Sequence, residues 1–306
     1  MTVYNRTVQI FSSVRSAGGT RRIVPRLVQC IVIVLMIGIT ACSTRFFYNR
    51  IDTLVVWKIG GYVSLRDPQK DELKRQIGDQ LEFVRRNEMP RVAAVLSETA
   101  RDVKSNNVTA ESLDDGYLQL LGLLDEFMLG IVPISEWFLL SLSDKQVAEL
   151  FESLEELNQE MYDDYSGRTD EERRANRNKS AIKMAQRFTG RLSDEQKLLI
   201  TDALVQMADS SEDWIEYQRE WQRRFRSLVE SPPPSQEFRD ELTLLFVYPR
   251  NFHTPEYRAT VDANRALLNI MMAELLGGLT DKQRSRVVEK LDGYTETLTT
   301  LSEGAG

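Results

Sequence analysis

A five-residue pattern opens four segments of the chain: Leu65-Arg66-Asp67-Pro68-Gln69, Leu142-Ser143-Asp144-Lys145-Gln146, Leu192-Ser193-Asp194-Glu195-Gln196 and Leu279-Thr280-Asp281-Lys282-Gln283. The last three read as helix starts by a local mechanism. Ser or Thr at the N-cap accepts from the backbone N–H three residues on, and Gln at that third position reaches back to the N-cap N–H. Asp at the first helical position suits the positive end of the helix dipole. Each such box stabilises its helix by about 1 kcal/mol. Thr169-Asp170-Glu171-Glu172 is a further box without the leading Leu. In the first copy Arg66 replaces Ser or Thr, so that copy is expected to cap less well. The leading Leu residues stand 77, 50 and 87 positions apart, spacings too unequal for a strict solenoid.

Between these starts, apolar residues recur at three and four positions. Over 143–166, Val147, Leu150, Phe151, Leu154, Leu157, Met161 and Tyr165 form one stripe, with Glu149, Glu152, Glu156, Glu160 and Asp163 opposite. A second helix is expected over about 211–230, and a third over about 255–276, where Thr254-Pro255 starts it and Gly277-Gly278 ends it. No alternating Val/Ile/Thr-rich stretch bounded by turns is present, so strands are not indicated. The fold class is therefore all-α, a multi-helix bundle of roughly ten helices. Pro232-Pro233-Pro234 cannot continue a helix. It divides a main helical body, 65–230, from a C-terminal helical part, 231–306.

The N-terminus has a different character. Arg21, Arg22 and Arg26 precede the apolar run 27–39, which would make a helix of about 20 Å, too short for a hydrocarbon core of about 30 Å. A basic stretch followed by a short apolar one is the pattern of a removed signal peptide. The run ends in Ile39-Thr40-Ala41-Cys42, which resembles the bacterial lipoprotein box. That resemblance implies a signal peptide over 1–41, cleavage between Ala41 and Cys42, and acylation of the Cys42 thiol. The following residue, Ser43 rather than Asp, favours the outer membrane over the inner by resemblance to known sorting rules. The second cysteine, Cys30, would leave with the signal, so no intramolecular disulfide is expected in the periplasm. Segment 42–64 is rich in apolar and aromatic residues: Phe46-Phe47-Tyr48, Leu54-Val55-Val56-Trp57 and Tyr62-Val63 among them. They cover nearly all sides of a helix, which favours burial in the body over a one-sided seat on the bilayer.

Charge narrows the function. The chain holds 39 basic and 46 acidic residues, and the first 41 positions carry five of the Arg and no acid, so the remainder is strongly acidic. Nucleic-acid binding, which needs clustered basic surface, is not expected. One His and two Cys leave few metal or catalytic sites available, and neither cofactor nor metal is expected. His253 lies in a loop, Tyr248 to Pro255, with no partner set for catalysis, so a packing or capping role is expected. The acid pairs Asp114-Asp115, Glu155-Glu156, Asp163-Asp164 and Glu171-Glu172 point about 100° apart on a helix and read as solvated faces. The candidate binding surface is Trp214, Tyr217, Trp221, Arg223 and Phe225, where arginines stand among aromatics. The bland reading pairs the arginines of this segment with Glu216 and Glu220.

The lipoprotein box followed by Phe46, Tyr48-Asn49, Asp52, Trp57, Tyr62, Leu65 and Gln69, then by Pro90-Arg91 and the boxes at 142–146 and 192–196, resembles an uncharacterised family of Gram-negative lipoproteins over most of 42–230. That family implies no activity. The spacing Leu142/Gln146, Leu192/Gln196 and Leu279/Gln283 is similar to that in small periplasmic helical chaperones of the Spy and CpxP type, which are not enzymes but are much shorter and lack a lipid anchor. The function expected is a non-enzymatic, lipid-anchored periplasmic lipoprotein, tethered to the membrane and binding an envelope protein partner or client, chaperone-like or as a scaffold. The alternative is a small-ligand or lipid-binding helical module with an aromatic-lined groove.

Overall fold

The computed structural model describes Tyr48 and residues 50–304; Ala41 and Cys42, where cleavage and acylation are expected, lie outside the described residues, as does the rest of 1–47. Among the described residues there are eleven α-helices, one short 3₁₀ turn and no strand, as the periodicity predicts. In chain order they are α1 (Ile51–Ile59), α2 (Asp67–Asn87), α3 (Met89–Ser105), α4 (Ala110–Leu140), α5 (Asp144–Ser166) and α6 (Asp170–Thr189). Then follow α7 (Asp194–Gln206), α8 (Ser211–Glu230), α9 (Ser235–Phe246), the 3₁₀ turn Pro249–Phe252, α10 (Pro255–Gly277) and α11 (Asp281–Glu303).

The helix starts form as their chemistry dictates. Ser143, Ser193 and Thr280 accept from the N–H of Gln146, Gln196 and Gln283 at 3.4, 3.2 and 3.3 Å, and each Gln Oε1 accepts the N-cap N–H in return at 3.0 Å. Thr169 and Glu172 make the same exchange. The first copy makes half a box. Arg66 donates its backbone N–H to Gln69 Oε1 at 3.0 Å, but the Gln69 N–H turns to the Arg66 carbonyl, because no side-chain acceptor stands at the N-cap.

The four glutamines also do something that capping alone does not require: they meet in pairs. Gln146 Nε2 donates to Gln69 Oε1 at 2.8 Å and to the Ser64 carbonyl at 2.8 Å, while Gln69 Nε2 donates to the Ser141 carbonyl at 3.0 Å. Gln196 and Gln283 exchange amide hydrogen bonds at 3.0 and 2.9 Å, and their Nε2 groups reach the Gly278 and Arg191 carbonyls at 3.2 and 2.9 Å. In all four cases the carbonyl belongs to the residue just before the partner's leading Leu. Each amide thus uses both acceptor and both donor positions, which is what a buried amide requires. The boxes are head-to-head clamps, closing the chain on itself between the first and second copies and between the third and fourth.

Packing builds on these clamps. The central helix α4 is long and apolar enough to cross a membrane by length and composition alone, but α2, α3, α9 and α10 pack against it. α11 runs antiparallel along α3: Val287 and Leu291 cluster with Ala100 and Val103, and Leu298 and Leu301 with Met89 and Ala93. The triple proline turns the chain between α8 and α9, with Pro234 as the N-cap of α9. One apolar cluster draws Phe225, Leu228 and Val229 from before the prolines and Phe238, Leu242 and Leu245 from after them, together with Val132, Leu139 and Phe151.

Helix α1 departs from expectation. Val55, Val56 and Ile59 pack against Leu73, Ile77 and Ile134, but none of its nine residues is buried. Leu54 is 43% and Trp57 74% exposed. Apolar residues on all sides argue for burial only if neighbours surround the helix. α1 sits at the edge of the bundle with α2 as its main neighbour, so only one face is covered.

Candidate functional site

The apolar side of α8 faces inward. Phe225 is buried, and Trp221 stacks on Phe225 at 5.2 Å and on Phe246 at 6.1 Å between ring centroids. The Trp221 Nε1–H donates to the Leu245 carbonyl at 2.8 Å. Tyr217 meets His253 edge-on at 4.6 Å and lies 6.2 Å from Tyr257. Burial, with Tyr257 beside it, pushes the Tyr217 phenol up to about 12. His253 is lowered from the ordinary histidine value by burial, then by Arg258 and Arg250, so it sits neutral in an aromatic cluster near neutral pH. Trp214 is half-buried on the same side.

Arg223 is not with them. Two positions from Trp221 is about 200° around a helix, so its side chain emerges on the far face, 74% exposed. The structure therefore splits the expected surface: the aromatics fill the interior, and the arginine lines a groove between α5 and α8. Of the acids expected to pair with this run, Glu220 does so. It takes Arg223 at 2.5 Å and Arg224 at 2.6 Å, while Arg226 lies 3.7 Å from Glu230.

The groove encloses about 470 Å³. Phe151, Leu154 and Met161 from α5 and Ile215 from α8 give it an apolar floor, and Arg219, Arg223 and Arg226 edge it, with Glu155 the one acid in the lining. Positions i, i+4 and i+7 put the three guanidinium groups in one row, about 10 Å long. Aromatic faces hold two of them: Arg226 stands 4.6 Å from the Phe151 ring centroid and Arg219 5.5 Å from that of Tyr162. Gln222 Nε2 donates to Asn158 Oδ1 at 2.9 Å, and Asn158 returns the bond, tying the two walls together. Gln218 also lines the groove. It is 8% exposed, and its Oε1 has no hydrogen-bond partner. A buried amide oxygen without a donor costs about 1–3 kcal/mol, which a ligand N–H or O–H would recover.

A second cavity, about 710 Å³, lies at the clamp of Gln196 and Gln283. Its charges are mixed, with Arg191, Lys282 and Arg286 against Glu195 and Glu274, and its central amides are already engaged. Elsewhere Glu88, at the N-cap of α3, is 5% exposed with Oε1 unpartnered. Burial, and then Glu126, push its carboxyl up to about 7 despite Arg91. Arg91 holds Glu126 low instead, chiefly by a direct hydrogen bond. These two carboxyls have displaced proton affinities, yet neither lines the groove or the second cavity. Sequence reasoning passed over Glu88 because an acid before Met89-Pro90 gives no sign of burial. Of the acids read as solvated, Asp114 is tied to α10: it accepts from Asn269 at 2.8 Å and lies 3.2 Å from Arg265. Among the described residues no group of three or more His, Cys, Asp or Glu is placed to hold a metal ion.

No curated protein and no solved structure matches the chain. The model of a family of unknown function, DUF6279, matches residues 61–258, and the chain belongs to that family.

Proposed function

We propose that this is a lipid-tethered, non-enzymatic binding protein of the cell envelope. On this reading the signal ends at Ala41, Cys42 carries the lipid, and the helical body faces the periplasm from the outer membrane. Its binding site is the groove between α5 and α8, and its occupant is an acidic, partly apolar segment of an envelope protein, held as a client or scaffold partner. One observation carries the site: a row of three arginines over an apolar floor, beside a buried amide oxygen with no donor. Arginine forks suit carboxylates, the floor suits apolar side chains, and a peptide N–H suits Gln218.

The alternative occupant is an anionic amphiphile, since a cavity of this size also accepts part of an acyl chain. A photo-crosslinking residue at Gln159, on the groove edge, separates the two in intact cells. The expected result is one discrete protein adduct, lost when Arg219, Arg223 and Arg226 are all changed to Glu. The same residue placed at Val205, which is exposed on α7, should give no such adduct. A lipid adduct at Gln159 with the same charge dependence selects the amphiphile. Equal labelling from both positions refutes the groove.

A further inference from the structure

The exposed side of α1 has a composition that a water-facing helix does not need. Thr53, Leu54, Trp57 and Lys58 share it, and Arg50 stands at its start. Trp57 is the most exposed large apolar side chain among the described residues. The one carboxylate beside it, Asp52, is engaged: it accepts from the Thr53 hydroxyl at 3.3 Å and lies 4.0 Å from Lys74. Lys58 lies 5.0 Å from the Tyr62 ring centroid, a cation held beside an aromatic. Tryptophan with lysine is the pairing found where a protein meets headgroups: the indole spans the boundary and the ammonium reaches the phosphates.

Position says which surface covers it. Tyr48 is buried among Val84, Met89 and Leu298, and its hydroxyl donates to the Leu81 carbonyl at 2.6 Å, so the chain is pinned to the body there. Only six chain steps separate Tyr48 from Cys42. Fully extended they reach about 21 Å, less than the thickness of one bilayer core. A lipid on Cys42 therefore keeps the start of α1 close to the membrane surface at all times.

We propose that the Leu54–Trp57–Lys58 face of α1 seats in the headgroup layer of the membrane that holds the lipid of Cys42. This contact would fix the orientation of the bundle, so that it does not swing freely on its tether. The inference rests on the reading that Cys42 is lipidated, and the test keeps the two apart. The lipidated protein, purified from cells, is reconstituted with vesicles of phosphatidylethanolamine and phosphatidylglycerol, with plain or brominated acyl chains, and floated on a density gradient. Trp57→Phe runs in parallel, and the difference in emission between the two proteins isolates Trp57 from Trp137, Trp214 and Trp221. The expected result is that both proteins float, and that brominated lipid removes most of the Trp57 emission while leaving that of the variant little changed. Wild-type protein that floats with the same quenching as Trp57→Phe overturns the docking face alone. Wild-type protein that does not float overturns the anchor and this inference together.

Discussion

Replacing Gln146 by Glu separates a capping role from a clamping one. A capping box accepts Glu as readily as Gln at its third position, because only an acceptor oxygen is needed. If Gln146 serves only its own helix, the change is nearly neutral. In the clamp its Nε2 donates to Gln69 Oε1 and to the Ser64 carbonyl, both at 2.8 Å, and the residue is 5% exposed. Glu would lose two hydrogen bonds, leave the Ser64 carbonyl unpaired and Gln69 Oε1 with its Arg66 donor alone, and set a buried carboxylate against both. Two lost bonds with their desolvated acceptors cost about 2–3 kcal/mol, and the unpaired charge raises the total to about 3–5 kcal/mol. The introduced carboxyl can escape part of this by binding a proton, so its folded-state pKa should rise. The folded protein then holds more protons than the unfolded one, and the variant's deficit grows as pH climbs above about 4.3 and shrinks as pH falls. Urea unfolding followed by circular dichroism at pH 5 and pH 8 reads both effects, with a midpoint shift of 1 M or more expected at pH 8, taking about 3 kcal/mol per molar as the slope. The natural control is the box at Thr169, where Glu172 caps its helix with no partner box. Glu172→Gln should stay within about 0.5 kcal/mol of wild type. If Gln146→Glu does the same at pH 8, the paired glutamines are incidental and the reasoning fails.

Other changes have equally definite expectations. The Glu88 carboxyl sits at about 7 in the folded protein against an ordinary 4.5, so the folded state binds more protons between those values and loses stability as pH rises through them. Glu88→Gln should therefore stabilise by about 2 kcal/mol at pH 8, after allowance for solvent screening, with the gain vanishing near pH 4.5 in thermal melts at both pH values. Leu298→Ala opens a void between α11 and α3 and should cost about 2–5 kcal/mol by urea unfolding. Gly190 has φ 79°, and an added Cβ would stand 3.0 Å from Arg286 Nη1. Gly190→Ala should cost about 1–3 kcal/mol in the same assay, and a neutral result would show that this positive-φ turn relaxes freely.

What could be read from the chain divides by distance. The starts at Ser143, Thr169, Ser193 and Thr280 were legible because a capping box is complete within four residues. The inward stripe of α8 was legible because helical period alone gathers Trp221, Phe225 and Leu228. The groove was not. It depends on which face of α8 meets α5, so sequence placed Arg223 with the aromatics it in fact opposes. The exposure of Trp57 and the burial of Glu88 were hidden for the same reason, since both are set by neighbours far along the chain.

The clamps lie between these cases, and a local clue to them exists. All four Leu-led boxes carry Gln, whereas the unclamped box at Thr169 carries Glu. An amide, unlike a carboxylate, can accept from its own N-cap while donating to a partner, and two such amides complement each other without any second motif. Every Leu-led box places Asp at the first helical position, as the unclamped box at Thr169 also does with Asp170. Head-to-head helix starts bring two positive dipole ends together, an arrangement that is unfavourable unless negative charge lies near both. Asp67 with Asp144, and Asp194 with Asp281, supply that charge at each clamp. An Asp that suits the positive end of a single helix start thus lies near two such ends where two boxes meet.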